Sequence, residues 1–144
     1  MKRLGILMVM IFMQLSFIST ASASDFDWLN SLNIQAEADS SGYQISLSTR
    51  FRIGDAEVKA VIGNVDRLSD AYMIFRLGEL SHRPVDEVIK VYQAKGKKGW
   101  GVIAQSLGIK PGSREFHALK RGHDLDAGME NRGGHSSGKG KGKR

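Results

Sequence analysis

The 144-residue chain contains no cysteine, two prolines, two tryptophans and four histidines. Without cysteine there is no disulfide, no thiol nucleophile and no thiolate metal site, so the fold rests on its core alone. With prolines only at Pro84 and Pro111, long stretches are free to form regular structure. Beyond Ile18 no apolar run approaches the roughly 20 residues of a membrane-spanning helix, so no transmembrane segment is expected after that point. No GxSxG elbow, HExxH pair or phosphate loop ending in Gly-Lys-Ser/Thr occurs. The sequence therefore motivates no catalytic residue and no cofactor, and it is read as a non-enzyme.

What is present begins with an export signal. Lys2 and Arg3 precede an apolar stretch from Leu4 to Ile18, and Ala21-Ser22-Ala23 fits an A-x-A cleavage site. Residues 1–23 are read as a signal peptide, with a retained anchor as the alternative, and the protein as periplasmic or secreted. Charge is segregated along the rest. Residues 24–130 hold fourteen basic and fifteen acidic side chains, a net −1. Within them, Lys95 to Arg121 carries seven basic residues against Glu115 alone, and residues 131–144 add five basic residues and no acid.

Periodicity predicts an α+β domain over residues 24–122, a β-hairpin packed on about five short helices. Ile34, Ala36 and Ala38 alternate with polar residues, as do Tyr43, Ile45, Leu47, Thr49, Phe51 and Ile53, on either side of Asp39-Ser40-Ser41-Gly42. Such a hairpin would leave an unpaired edge, which suggests a covering helix or a homodimer. After Gly54 the period becomes helical: Val58, Val61, Ile62 and Val65 in a first helix, and Leu68 to Leu80 in a second, apolar nearly all round. A third begins at Pro84, a fourth carries Trp100, Ile103 and Leu107, and Ser113 caps a fifth. The expected core is Tyr72, Phe75, Tyr92, Trp100, Ile103, Leu107, Phe116 and Leu119. Residues 123–144, ending in GGHSSGKGKGKR, read as a low-complexity basic tail too polar to order itself.

Two constellations carry candidate function. Lys95, Lys97 and Lys98 flank a Gly-rich turn before Trp100, and Lys110, Arg114, Lys120 and Arg121 join them if the last two helices fold back on each other. A glycine turn feeding a helix start suits an anion, so the expected partner is an anionic envelope polymer or a protein, with the tail adding salt-dependent attraction. The second constellation is His117, His123 and Asp124, an imidazole–carboxylate set that would make this a metal-handling periplasmic protein. A small hydrolase is the third reading, open only because triads assemble in space.

The stretch IAQSLGIKPGSREFHALK resembles the helix-turn-helix of bacterial regulators in Ala104, Gly108 and the Ser-capped second helix. The Pro-Gly turn is a residue or two too long, Arg114 stands where a buried aliphatic is usual, and an exported protein meets no promoter. Sequence-specific DNA recognition is therefore not expected, and the element is read as a helical hairpin used for packing. The segment from Val85 to Lys120, with its GWG…LGIKPGS.EFHALK signature, is also similar to a family of small exported bacterial proteins of unassigned function. That resemblance implies export and no particular activity.

Overall fold

A computed structural model describes residues 23–126, and within them every regular element is helical. Seven α-helices follow in order: α1 Trp28–Ala38, α2 Ser40–Phe51, α3 Asp55–Ile62, α4 Leu68–Ser81, α5 Val85–Lys95, α6 Trp100–Ser106 and α7 Arg114–Lys120. Short 3-10 turns at Ala23–Phe26 and Gly96–Lys98 precede α1 and α6. The residues before Ala23, which include most of the expected signal, and the tail beyond Asp126 lie outside the described residues.

The expected β-hairpin is not there: among the described residues there is no strand, and the α+β assignment is replaced by an all-α one. The reason is arithmetic. Positions i and i+4 share a face in both a strand and a helix, so Tyr43 and Leu47, both buried, satisfy either pattern. The residue between them decides. Ile45 belongs with them in a strand but lies across a helix, and it is 59% exposed. Ile34 behaves the same way at 68% exposed, while Leu29, Leu32 and Ala36 form the i, i+3, i+7 stripe that α1 buries. Asp39-Ser40-Ser41-Gly42 is a helix start and not a hairpin turn: Asp39 ends α1 and caps α2, its Oδ1 accepting from the Gly42 N–H at 2.8 Å. With no strand among the described residues, the open-edge argument for a homodimer has nothing to rest on.

Helix α4 is the centre. Of Ser69 to Gly78 only Arg76 is not buried, and α4 packs against α1, α3, α5 and α7. A residue buried on all sides must be apolar or satisfied: Asp70, 6% exposed, meets that rule by accepting from the Tyr92 hydroxyl, whereas the fully buried Ser69 hydroxyl has no partner among the described residues. Gly78 lets the chain double back: a Cβ there would come within 3.2 Å of the Arg83 carbonyl oxygen. The α4 end closes with His82 at φ 55°, the left-handed region, and Arg83 N–H bonded to Gly78 O. Pro84 then occupies the N-cap of α5, where its missing N–H costs nothing.

Helices α6 and α7 do not lie chiefly on each other: α6 packs on α5, and α7 on α4. Ser113 caps α7 by accepting from the Phe116 N–H at 3.1 Å. Tyr72, Phe75, Tyr92, Ile103, Leu107, Phe116 and Leu119 are buried, and Trp100 is half-buried. The body runs past the Arg121–Gly122 point where the apolar pattern fades, because Leu125 is buried in the same core. No helix of the described residues is long and apolar enough to cross a membrane.

Candidate binding surface

The Gly-Lys turn is built on a buried hydrogen-bond chain. Tyr92, on the last turns of α5, donates its hydroxyl to Asp70 Oδ2 at 2.8 Å and accepts from the Asp66 N–H at 3.1 Å. Burial pushes the Asp70 carboxyl above its ordinary value, against the pull of the Tyr92 hydroxyl and Arg67, and burial likewise raises the Tyr92 hydroxyl. Trp100 stacks on Tyr92 with ring centroids 5.4 Å apart and planes 23° from parallel. These contacts fix both ends of the Gly96–Lys98 turn. Gly99 follows at φ 92°, a backbone region that favours glycine, and lets the chain reverse into α6.

The seven basic residues separate into groups. Lys95 is turned back on α6, its Nζ donating to Ser106 Oγ at 2.9 Å. Lys97 and Lys98 are exposed on the turn and make no ion pair among the described residues. Lys110 and Arg114 are also exposed but lie beyond the opposite end of α6, about 10 Å of helix away at 1.5 Å per residue. Lys120 pairs with Asp25 at 2.9 Å and sits over the Phe116 ring, tying the N-terminal 3-10 turn to α7. Arg121, exposed, follows at the C-cap of α7. The single basic face expected from sequence is thus reduced to Lys97 and Lys98, with α6 too short for its N-terminus to serve as an anion site by itself.

Beside that pair opens a cleft of about 390 Å³. It runs between the α3–α4 loop and the end of α5, lined by Asn64, Asp66, Tyr92, Gln93, Gly96 and Lys97 among others. Asn64 is held in place, its Nδ2 donating to Ala60 O at 2.8 Å and its Oδ1 accepting from Gln93 Nε2 at 3.3 Å. Sequence reasoning missed Asn64, Asp66 and Gln93, because a polar residue at a helix end is common and only the fold brings them to one opening.

The imidazole–carboxylate set is dispersed. His117 is exposed on α7, whereas His123 and Asp124 lie half-buried in the segment after it. The Asp124 carboxylate is already engaged, Oδ2 with Arg50 Nη2 at 2.7 Å and Oδ1 with the Tyr72 hydroxyl at 3.0 Å. Among the described residues no group of three or more His, Asp or Glu side chains is placed to hold a metal ion. Instead Asp124 belongs to a charge network: Arg50 also reaches Glu79 in bidentate fashion at 3.1 and 3.2 Å, and Arg76 closes on the same carboxylate. Burial raises the Asp124 and Glu79 carboxyls, but the arginines, with Tyr72 at Asp124, outweigh it and hold both below their ordinary values. This clasp fastens the segment after α7 to α2 and α4.

No family model, no curated protein and no solved structure matches the chain.

Proposed function

We propose that this chain is an exported, non-catalytic binding protein that holds an anionic polymer of the cell envelope at Lys97 and Lys98. The observation that carries this reading is the state of those two side chains. They are adjacent, exposed and without an ion-pair partner among the described residues, on a turn fixed by Tyr92 and Trp100. Elsewhere on the body many basic groups are spoken for: Arg50, Arg76, Arg83 and Lys120 all sit in ion pairs. Two lysines left free on an ordered turn give a positive surface whose backbone is fixed before a ligand arrives. The five basic residues beyond Glu130 would add salt-dependent attraction. Export follows from the reading of residues 1–23.

The test is binding of residues 24–144 to polyphosphate and to polyuronate at several salt concentrations. Log affinity is expected to fall linearly with log salt, and the Lys97→Ala/Lys98→Ala variant to flatten that slope by about one to two units. Binding that ignores salt and is unchanged in the variant would overturn the proposal.

A further inference from the structure

We infer that the cleft beside the lysine turn accepts one acidic sugar unit of a polysaccharide, its carboxylate on Lys97 and its hydroxyls on Asp66 and Gln93. This rests on the reading of Lys97 and Lys98 as an anion-binding pair and narrows it to a ligand class.

The cleft's mixture of charge carries the inference. A surface that only gathered polyanions would gain nothing from a carboxylate within it, since a like charge repels the ligand. Yet Asp66 lines the same opening as Lys97, and its side chain is exposed and without a hydrogen-bond partner among the described residues. A carboxylate is an acceptor only. It is useful to a ligand that brings O–H donors together with its negative charge, and a uronic-type sugar has vicinal hydroxyls and a carboxylate on one ring. Inorganic polyphosphate, ionised along its length, offers Asp66 no donor. Gln93 fits the same ligand: its Nε2 is taken by Asn64 Oδ1, which leaves Oε1 as a second acceptor for a hydroxyl. The opening, about 390 Å³, falls within the range of roughly 300–1,000 Å³ typical of small-molecule clefts.

Gly96 lines the cleft. Its φ of −53° is available to any residue, and a Cβ there would stand in ordinary contact with the Tyr92 ring at 3.7 Å. A larger side chain at this position would project at the cleft wall without straining the turn.

The experiment compares polygalacturonate, polyphosphate and neutral dextran at matched ionic strength, using the wild-type chain, Asp66→Asn, Gly96→Leu and Lys97→Ala/Lys98→Ala, with helix content checked by circular dichroism. Wild type should prefer polygalacturonate over polyphosphate. Asp66→Asn should weaken polygalacturonate about tenfold while leaving polyphosphate equal or tighter, because it replaces a charged acceptor by a weaker neutral one and removes a repulsive charge at once. Gly96→Leu should abolish the preference and retain charge-driven binding. The inference is overturned if Asp66→Asn tightens or weakens both polymers alike, or if wild type shows no preference. In that event salt-dependent binding lost in the double lysine variant would still stand for the lysine pair. Absence of binding to every polyanion would overturn both.

Discussion

The Tyr72 hydroxyl donates to Asp124 Oδ1 at 3.0 Å across 52 positions of sequence, joining the central helix to the segment that leaves α7. That hydrogen bond and the 2.7 Å contact of Arg50 with the same carboxylate hold His123 against Trp28 and Tyr72, with ring centroids 6.0 and 6.2 Å apart. Asp124→Ala should cost about 1–2 kcal/mol, the sum expected for one hydrogen bond and one partly exposed ion pair. Urea melts followed by tryptophan emission would show it, since the loosened segment uncovers Trp28. A midpoint unchanged from wild type would mean that this segment is not clasped.

The carboxyls of this protein act in two opposite senses with pH. Asp124 and Glu79 are held below their ordinary values, so they bind fewer protons folded than unfolded across that interval. Their contribution is whole above the ordinary carboxylate range and is lost as pH falls through the depressed folded values. Asp70 is the reverse. Burial raises it, so between about 4, the ordinary aspartate value, and its raised value the folded state holds the extra proton. Stability from Asp70 is present at low pH and declines as pH climbs through that window. Asp70→Asn, which can keep a hydrogen bond with Tyr92, should therefore gain on wild type as pH rises from 4 to 7. Denaturant midpoints at the two pH values measure this directly, and a constant difference would refute it.

The helical register of residues 40–51 makes a sharp mutational forecast. Leu47 is fully buried and Ile45 is 59% exposed, although a strand would place both on one face. Leu47→Ala should cost about 2–5 kcal/mol, whereas Ile45→Gln should stay within about 0.5 kcal/mol. Comparable losses at the two sites would restore the strand reading.

The cap on the same helix yields a coupled pair. Asp39→Ala removes the carboxylate that receives the Gly42 N–H and should cost about 1 kcal/mol. Gly42→Ala alone sets a gain of about 1 kcal/mol in helix propensity against displacement of that carboxylate, which a Cβ would approach to 2.1 Å. In the Asp39→Ala background only the gain remains, so Gly42→Ala should stabilise more there than in wild type. Additive thermal shifts across the four proteins would contradict the cap.

Much of the fold after Gly54 was legible because its signals do not compete. Asp55, Pro84 and Ser113 mark starts that suit helices, and α3, α5 and α7 begin at or beside them. Before Gly54 the signals conflicted: Tyr43, Leu47 and Phe51 satisfy periods of two and of 3.6 alike, and a Ser-Ser-Gly run serves a turn or a first helical turn. The lysine turn could be found from its charge. Its neighbours Asn64, Asp66 and Gln93 could not, since their meeting depends on how α5 lies against the α3–α4 loop. The clasp was hidden for the same reason, and Asp124, next to a histidine in sequence, looked like a metal ligand when its partners are Arg50 and Tyr72.

The central helix lies in the middle of the described chain, and that placement bears on how quickly the molecule assembles. Its neighbours α3 and α5 reach it through the short links 63–67 and 82–84. A nucleus of α3, α4 and α5 thus closes no long loop before apolar contact rewards it, and local topologies of this kind fold in microseconds to milliseconds. Only α1 and α7 must be gathered from farther along the chain. An unfolded copy would spend little time with its apolar face uncovered, which limits the interval in which two copies can aggregate.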